Sequence, residues 1–75
     1  MYVDQLNISV VSSINKKCSI HIYNQMGQKV TSDIVEFKSG LNIHQINISH
    51  LENGLYLVVI EHDKTVLYQN RFVKN

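Results

Sequence analysis

The sequence is short of the residues from which small functional sites are usually built. Cys18 is the only cysteine among 75 residues, so no internal disulfide and no multi-thiolate zinc site can form. Without a surrounding motif, Cys18 reads as a small apolar residue of a strand. Tryptophan and proline are absent, and there are three glycines. Neither sign of charge dominates: seven lysines and arginines stand against six aspartates and glutamates. No basic block calls for nucleic acid, and no like-charge run calls for a disordered tail. The longest apolar run is far too short to cross a membrane as a helix. Met1-Tyr2-Val3-Asp4 has neither a basic nor an apolar region of the signal-peptide kind, so an exported role needs a signal on a longer precursor. A chain this short makes one domain, residues 1–75. It buries only about 60% of the surface of its unfolded form, with stability on the order of 3–5 kcal/mol.

The most informative stretch is Leu51-Glu52-Asn53-Gly54-Leu55-Tyr56-Leu57-Val58-Val59-Ile60. Asn53-Gly54 is a turn signal, because glycine takes positive φ without steric cost. Residues 55–60 are all apolar or aromatic, too few for a buried helix and rich in β-branched residues. Tyr56, Val58 and Ile60 fall on one face, with Leu55, Leu57 and Val59 on the other. A strand apolar on both faces is expected to be central in its sheet and covered on both sides.

Around it the chain offers five further strands. Leu6, Ile8 and Val10 alternate with polar residues over 5–11, and Cys18, Ile20 and Ile22 over 18–23. Asn24-Gln25-Met26-Gly27 is a tight connection with Gly27 at positive φ. A third strand spans 28–37, with a phase change that predicts a β-bulge or bend between Ser32 and Ile34. After a turn at Lys38-Ser39-Gly40, a fourth strand spans 41–48. Its own phase change, Leu41 and Ile43 against Ile46 and Ile48, predicts a bend or a change of sheet. Ser49 to Glu52 has the pattern of one capped helical turn, with Leu51 plugging the core. His62-Asp63-Lys64 is a hairpin loop before a last strand over 65–74. The fold class is all-β: a small immunoglobulin-like antiparallel β-sandwich of about six to seven strands.

Three motifs then fall in order. Ile20-His21-Ile22-Tyr23-Asn24-Gln25-Met26-Gly27-Gln28-Lys29-Val30 resembles the strand–tyrosine–turn–Gly-Gln-Lys-Val hairpin of the C-terminal sorting domains of the bacterial type IX secretion system, type A. Gly40-Leu41-Asn42, followed by Ile46 to Val58, resembles that family's second motif, an isoleucine-rich run leading to Leu51, Gly54 and Tyr56. Arg71-Phe72-Val73-Lys74-Asn75 resembles its basic–aromatic–aliphatic–lysine ending. The resemblance implies a secretion address at the end of a larger exported protein, with an N-terminal cargo domain in that parent. It implies recognition by outer-membrane components of the secretion machinery, through Arg71, Phe72, Val73, Lys74 and Asn75. It also implies removal in many cases by a sortase-like peptidase, and delivery to the cell surface or medium through the periplasm and outer membrane. Gly27, Gly40, Leu51, Gly54 and Tyr56 would be structural. The family pattern begins with a further Asn-Pro strand ahead of the segment aligned with Leu6. Here only Met1 to Gln5 precede it, so a sheet edge is expected to be uncovered, which invites pairing with another chain and thus dimerisation.

The residues alone point to no chemistry and no cofactor. His21, His44, His50 and His62 lie apart and read as solvent-facing, with no zinc-ligand spacing. The carboxylates form no acid–base pair, and no serine sits in a nucleophile elbow. Asn7-Ile8-Ser9 and Asn47-Ile48-Ser49 match the glycosylation sequon within strands, a coincidence in a bacterial chain. The other reading is an independent immunoglobulin-like adhesion or carbohydrate-binding module. It has only Tyr23 and Tyr68 to offer as exposed stacking aromatics.

Overall fold

Six strands alternate in direction along the chain: β1 (Gln5–Ser12), β2 (Lys16–Tyr23), β3 (Lys29–Phe37), β4 (Gly40–Asn47), β5 (Gly54–His62) and β6 (Thr65–Lys74). The computed structural model describes residues 5–13 and 15–75, and the readings that fall on Met1 to Asp4 and on Ile14 lie outside the described residues. Every pairing is antiparallel. β1 and β4 form a two-stranded sheet, and the other strands form a four-stranded sheet in the order β3-β2-β5-β6. The two sheets make a small sandwich. One end carries the 24–28 and 48–54 turns, together with Gln5 and Lys74. It is called the Asn24 end here, and the opposite end carries the 62–65 hairpin.

Side-chain alternation builds the core. Cys18, Ile20 and Ile22 of β2 and Tyr56, Val58 and Ile60 of β5 face inward and are buried. Register brings Ile20 opposite Ile60 and Ile22 opposite Val58. Ile8 of β1 and Ile46 of β4 close the core from the smaller sheet, joined by Phe37, Ile48 and Leu51. Burial of the Cys18 thiol pushes its pKa up, and nearby Lys16 only partly opposes this. A buried, protonated thiol is the inert form that its apolar surroundings suggest. At the hairpin, Asp63 and Lys64 both have positive φ, 48° and 64°, as a two-residue turn matched to sheet twist requires.

The phase changes resolve differently from their sequence reading. β3 does contain its irregularity, but between Ile22 and Tyr23 of the partner, opposite 29–31, not between Ser32 and Ile34. Val30 therefore packs on the core with Val35 and Phe37, while Ile34 is 63% exposed. β4 does not change sheets: it pairs with β1 from Gly40 to Asn47 without a register shift. Leu41 and Ile43 lie on the outer face, each 68% exposed. The 49–52 segment is not a helical turn. Leu51 N–H donates to Ile48 O at 3.0 Å in a β-turn, and Asn47 Oδ1 accepts from Ser49 N–H at 2.9 Å. Leu51 does plug the core.

β5 is interior in its sheet, between β2 and β6, but among the described residues no second layer covers its outer face. On its outer face Val59 is buried by its neighbours, whereas Leu55 and Leu57 are half-buried. The faces of β5 should respond differently to truncation. Ile60→Ala, at a fully enclosed position, should cost about 2–5 kcal/mol. Leu57→Ala should cost clearly less. Paired denaturant titrations measure both, and equal losses would place a covering layer over Leu57.

Candidate functional site

The 24–28 turn is built by one side chain. Asn24 Oδ1 accepts from the N–H groups of Met26 and Gln28 at 2.9 and 3.0 Å, and Asn24 Nδ2 donates to Gln28 Oε1 at 2.9 Å. Gly27 N–H donates to Asn24 O at 3.0 Å, and Gly27 takes φ +81° as expected. This is why an asparagine opens the turn and a glycine closes it: the amide replaces lost ladder partners, and the last residue must enter the left-handed region.

The 48–54 turn presents several carbonyl oxygens with no strand to bond them. Two side chains from elsewhere supply donors. The Tyr56 hydroxyl donates to Glu52 O, and the Lys74 ammonium donates to Leu51 O and to Ser49 O, the latter at 3.2 Å. Tyr56 is held in turn by Phe72, whose ring stacks on it at 5.5 Å between centroids and 20° between planes. His50 Nε2 meets Thr31 Oγ1 at 3.1 Å and ties the turn to β3. Gly54 follows at φ +156°, in a region that is essentially glycine's alone. A Cβ there would meet no atom within 4 Å, so backbone conformation, not space, sets the demand.

The ending is split between two faces. Arg71 pairs with Leu57 and Val73 with Leu55, so both lie on the outer face and are exposed. Phe72 and Lys74 face inward. Lys74 is 7% exposed, the only buried charged residue among the described ones. Arg71 and Lys74 therefore do not act as a joint exposed cationic pair: three residues apart on a strand, they point to opposite sides. Lys74 satisfies carbonyls that burial would otherwise leave unpaired. Sequence reasoning missed this because lysine is usually exposed, and nothing local marks the turn 23 residues upstream as its partner.

Gly27, Leu51, Gly54, Tyr56 and the 71–75 ending thus converge on the Asn24 end, while Gly40 opens β4 at the other end. The histidines are also more engaged than their spacing suggests. His44 is not solvent-facing: Nε2 lies 3.0 Å from Asp33 Oδ2, and the side chain is 23% exposed and bridges the two sheets. His21 Nδ1 lies 3.0 Å from Ser32 Oγ, and His62 Nδ1 is 2.9 Å from Lys17 O. Among the described residues, no group of three or more His, Cys, Asp or Glu side chains is placed to hold a metal ion.

Two substitutions separate the faces of the ending. Lys74→Met keeps the apolar stem but removes the donors, and should cost about 1–3 kcal/mol by orphaning buried carbonyls. Arg71→Gln should stay within about 0.5 kcal/mol. Thermal melts of the two variants read the difference, and equal melting temperatures would contradict the assignment of Lys74 to the turn. Gly54→Val should lower stability by about 1–3 kcal/mol through φ alone. In the same melts, an unchanged value would deny that constraint.

The sequence was compared with known proteins at three levels. Neither a curated protein nor a solved structure matched. A family model did match, over residues 2–75, and its description is a secretion system C-terminal sorting domain. The match covers all six strands and the three motifs, of which the Gly40-Leu41-Asn42 part lies at the other end. The chain belongs to the C-terminal sorting domain family, whose domain is the sorting signal for type IX secretion.

Proposed function

We propose that the domain works as a folded address read mainly at its Asn24 end. The observation that carries this reading is the convergence of three distant segments on one end: the 24–28 turn, built by Asn24, and the 48–54 turn, which Lys74 bonds to the 71–75 ending. A sorting domain implies export to the cell surface or medium and association with the secretion machinery. The finer route follows by proposal. A cargo joined ahead of Gln5 carries the signal peptide, crosses to the periplasm, and is presented to outer-membrane translocation components by this domain. A sortase-like peptidase then acts on the chain upstream of it. The domain performs no catalysis of its own.

Within the ending, Arg71, Val73 and Asn75 are exposed and available to a partner. Phe72 and Lys74 serve recognition indirectly, by fixing the 48–54 turn. Dimerisation has a natural place as well. The smaller sheet covers only part of the larger one, and a cavity of about 430 Å³ opens between β1 and β6, lined in part by Val10, Phe37, Ile60 and Leu67. Among the described residues the outer edge of β1 is unpaired and borders this cavity, where a further strand would add.

The test joins a signal peptide and a reporter to the chain in a type IX-competent bacterium. The reporter should reach the surface or medium only while the secretion system is intact. Retention of a folded, intact fusion in the periplasm would refute the reading. Replacing Arg71 and deleting Asn75 should reduce export with near-native melting, whereas Lys74→Met should lower both together.

A further inference from the structure

Register places four side chains in one row across the outer face of the larger sheet, with the β3 end of the row at the bulge opposite Tyr23. Lys29 pairs with Tyr23, Tyr23 with Leu57, and Leu57 with Arg71. Residues paired in antiparallel strands project to the same face. The row therefore reads cation, aromatic, aliphatic, cation, edge to edge. The next row toward the end, Leu55 opposite Val73, widens the apolar centre, and Val73 is 58% exposed. Beside Arg71 the surface sinks into a hollow of about 380 Å³ that Leu55, Leu57, Asn24 and Gln25 help to line.

The charges of this face are sorted. Its carboxylates, Glu36 and Glu61, lie toward the hairpin end, with Glu36 paired opposite Lys17. Asp33 is engaged with His44 between the sheets, and Glu52 belongs to the 48–54 turn. Among the described residues no ion pair involves Lys29 or Arg71. Two unpaired cations thus flank an apolar strip with no acid in their row, a pattern complementary to an acidic and apolar partner.

We propose that this row binds an extended, acidic segment of a protein partner. The inference rests on the reading of the domain as a sorting address and names the chemistry of what reads it. Three interstrand spacings separate Lys29 from Arg71, about 14 Å at roughly 4.8 Å each. An extended chain covers that distance in about four residues at roughly 3.3 Å each, and residues four apart lie on the same side of it. The fitting segment therefore carries two carboxylates four residues apart, with an apolar side chain midway. The carboxylates meet Lys29 and Arg71, and the apolar group rests on Tyr23 and Leu57.

Titration of the isotope-labelled chain with a blocked threonine heptapeptide, carrying glutamates four residues apart and a leucine midway, tests the match by amide NMR. Saturable shifts should centre on Tyr23, Lys29, Leu57 and Arg71. Arg71→Glu, or glutamine in place of the peptide's glutamates, should weaken binding about tenfold or more. No saturable binding, equal binding of the glutamine peptide, or shifts centred on the β1–β6 opening would overturn the proposal. So would concentration-dependent shifts of the same residues without peptide, which would identify a second copy as the occupant. A cellular arm uses the full-length cargo. Loss of export on deleting residues 5–75 upholds the address reading, and unchanged export overturns that reading and the proposal with it. If deletion abolishes export, Lys29→Glu with Arg71→Glu should reduce it about tenfold at unchanged melting, while Lys17→Glu leaves it near normal. Normal export of the double variant overturns the row alone.

Discussion

The fold turns on a shortage of hydrogen-bond donors in one place. Between β4 and β5 the chain must cross from the smaller sheet to the larger, and in the 48–54 turn its carbonyls lose their ladder partners. Three of them, at Ser49, Leu51 and Glu52, are met by Lys74 and Tyr56. Leu51 is buried beneath them, and Phe72 stacks against the tyrosine. A crossing segment left with unpaired buried oxygens would cost a large share of what so small a core supplies. The last strand is thus more than an edge: it donates the lysine that completes the turn joining the two sheets.

The extent to which the chain was legible follows from how local each signal is. Strand number, order and turn positions came through because period-two alternation and Asn-Gly chemistry act over a few residues. Gly27 and Tyr56 fell where their local patterns put them. The phase changes were seen but misplaced. In β3 a bulge absorbs the extra residue opposite Tyr23, and in β4 nothing absorbs it, so Leu41 and Ile43 simply face outward. No local rule distinguishes an apolar residue that bends a strand from one left in solvent. The bonds of Lys74 to the turn and of His44 to Asp33 were invisible for another reason. Each joins sheets or segments whose proximity is a property of the finished sandwich. The family resemblance supplied the order of motifs, and in the structure the 24–28, 48–54 and 71–75 parts of them meet at one end, while Gly40-Leu41-Asn42 lies at the other.

The sandwich is also unequal. Two strands lie over four, so the inner face of β6 is open beside β1, with Tyr68 44% exposed where an interior residue would ordinarily be enclosed. On the outer side, β5 relies on its sheet neighbours for partial cover. Among the described residues both faces leave apolar side chains exposed, such as Leu67, Val73, Leu41 and Ile43, and contiguous surfaces of that kind often mark contact with other proteins. Stability and accessibility to partners are in tension throughout this fold.

The even number of described strands has a geometric result. Because β1 departs from the Asn24 end and the sixth strand returns to it, Gln5 and Lys74 lie at the same pole. A chain joined ahead of Gln5 starts from the pole that also carries the 24–28 and 48–54 turns and Lys74. A partner that docked there, as proposed above, would share its approach with the passenger, and the leash between passenger and address would become a variable in its own right. A short, stiff leash screens the pole, and a longer or more flexible one clears it at a modest entropic cost.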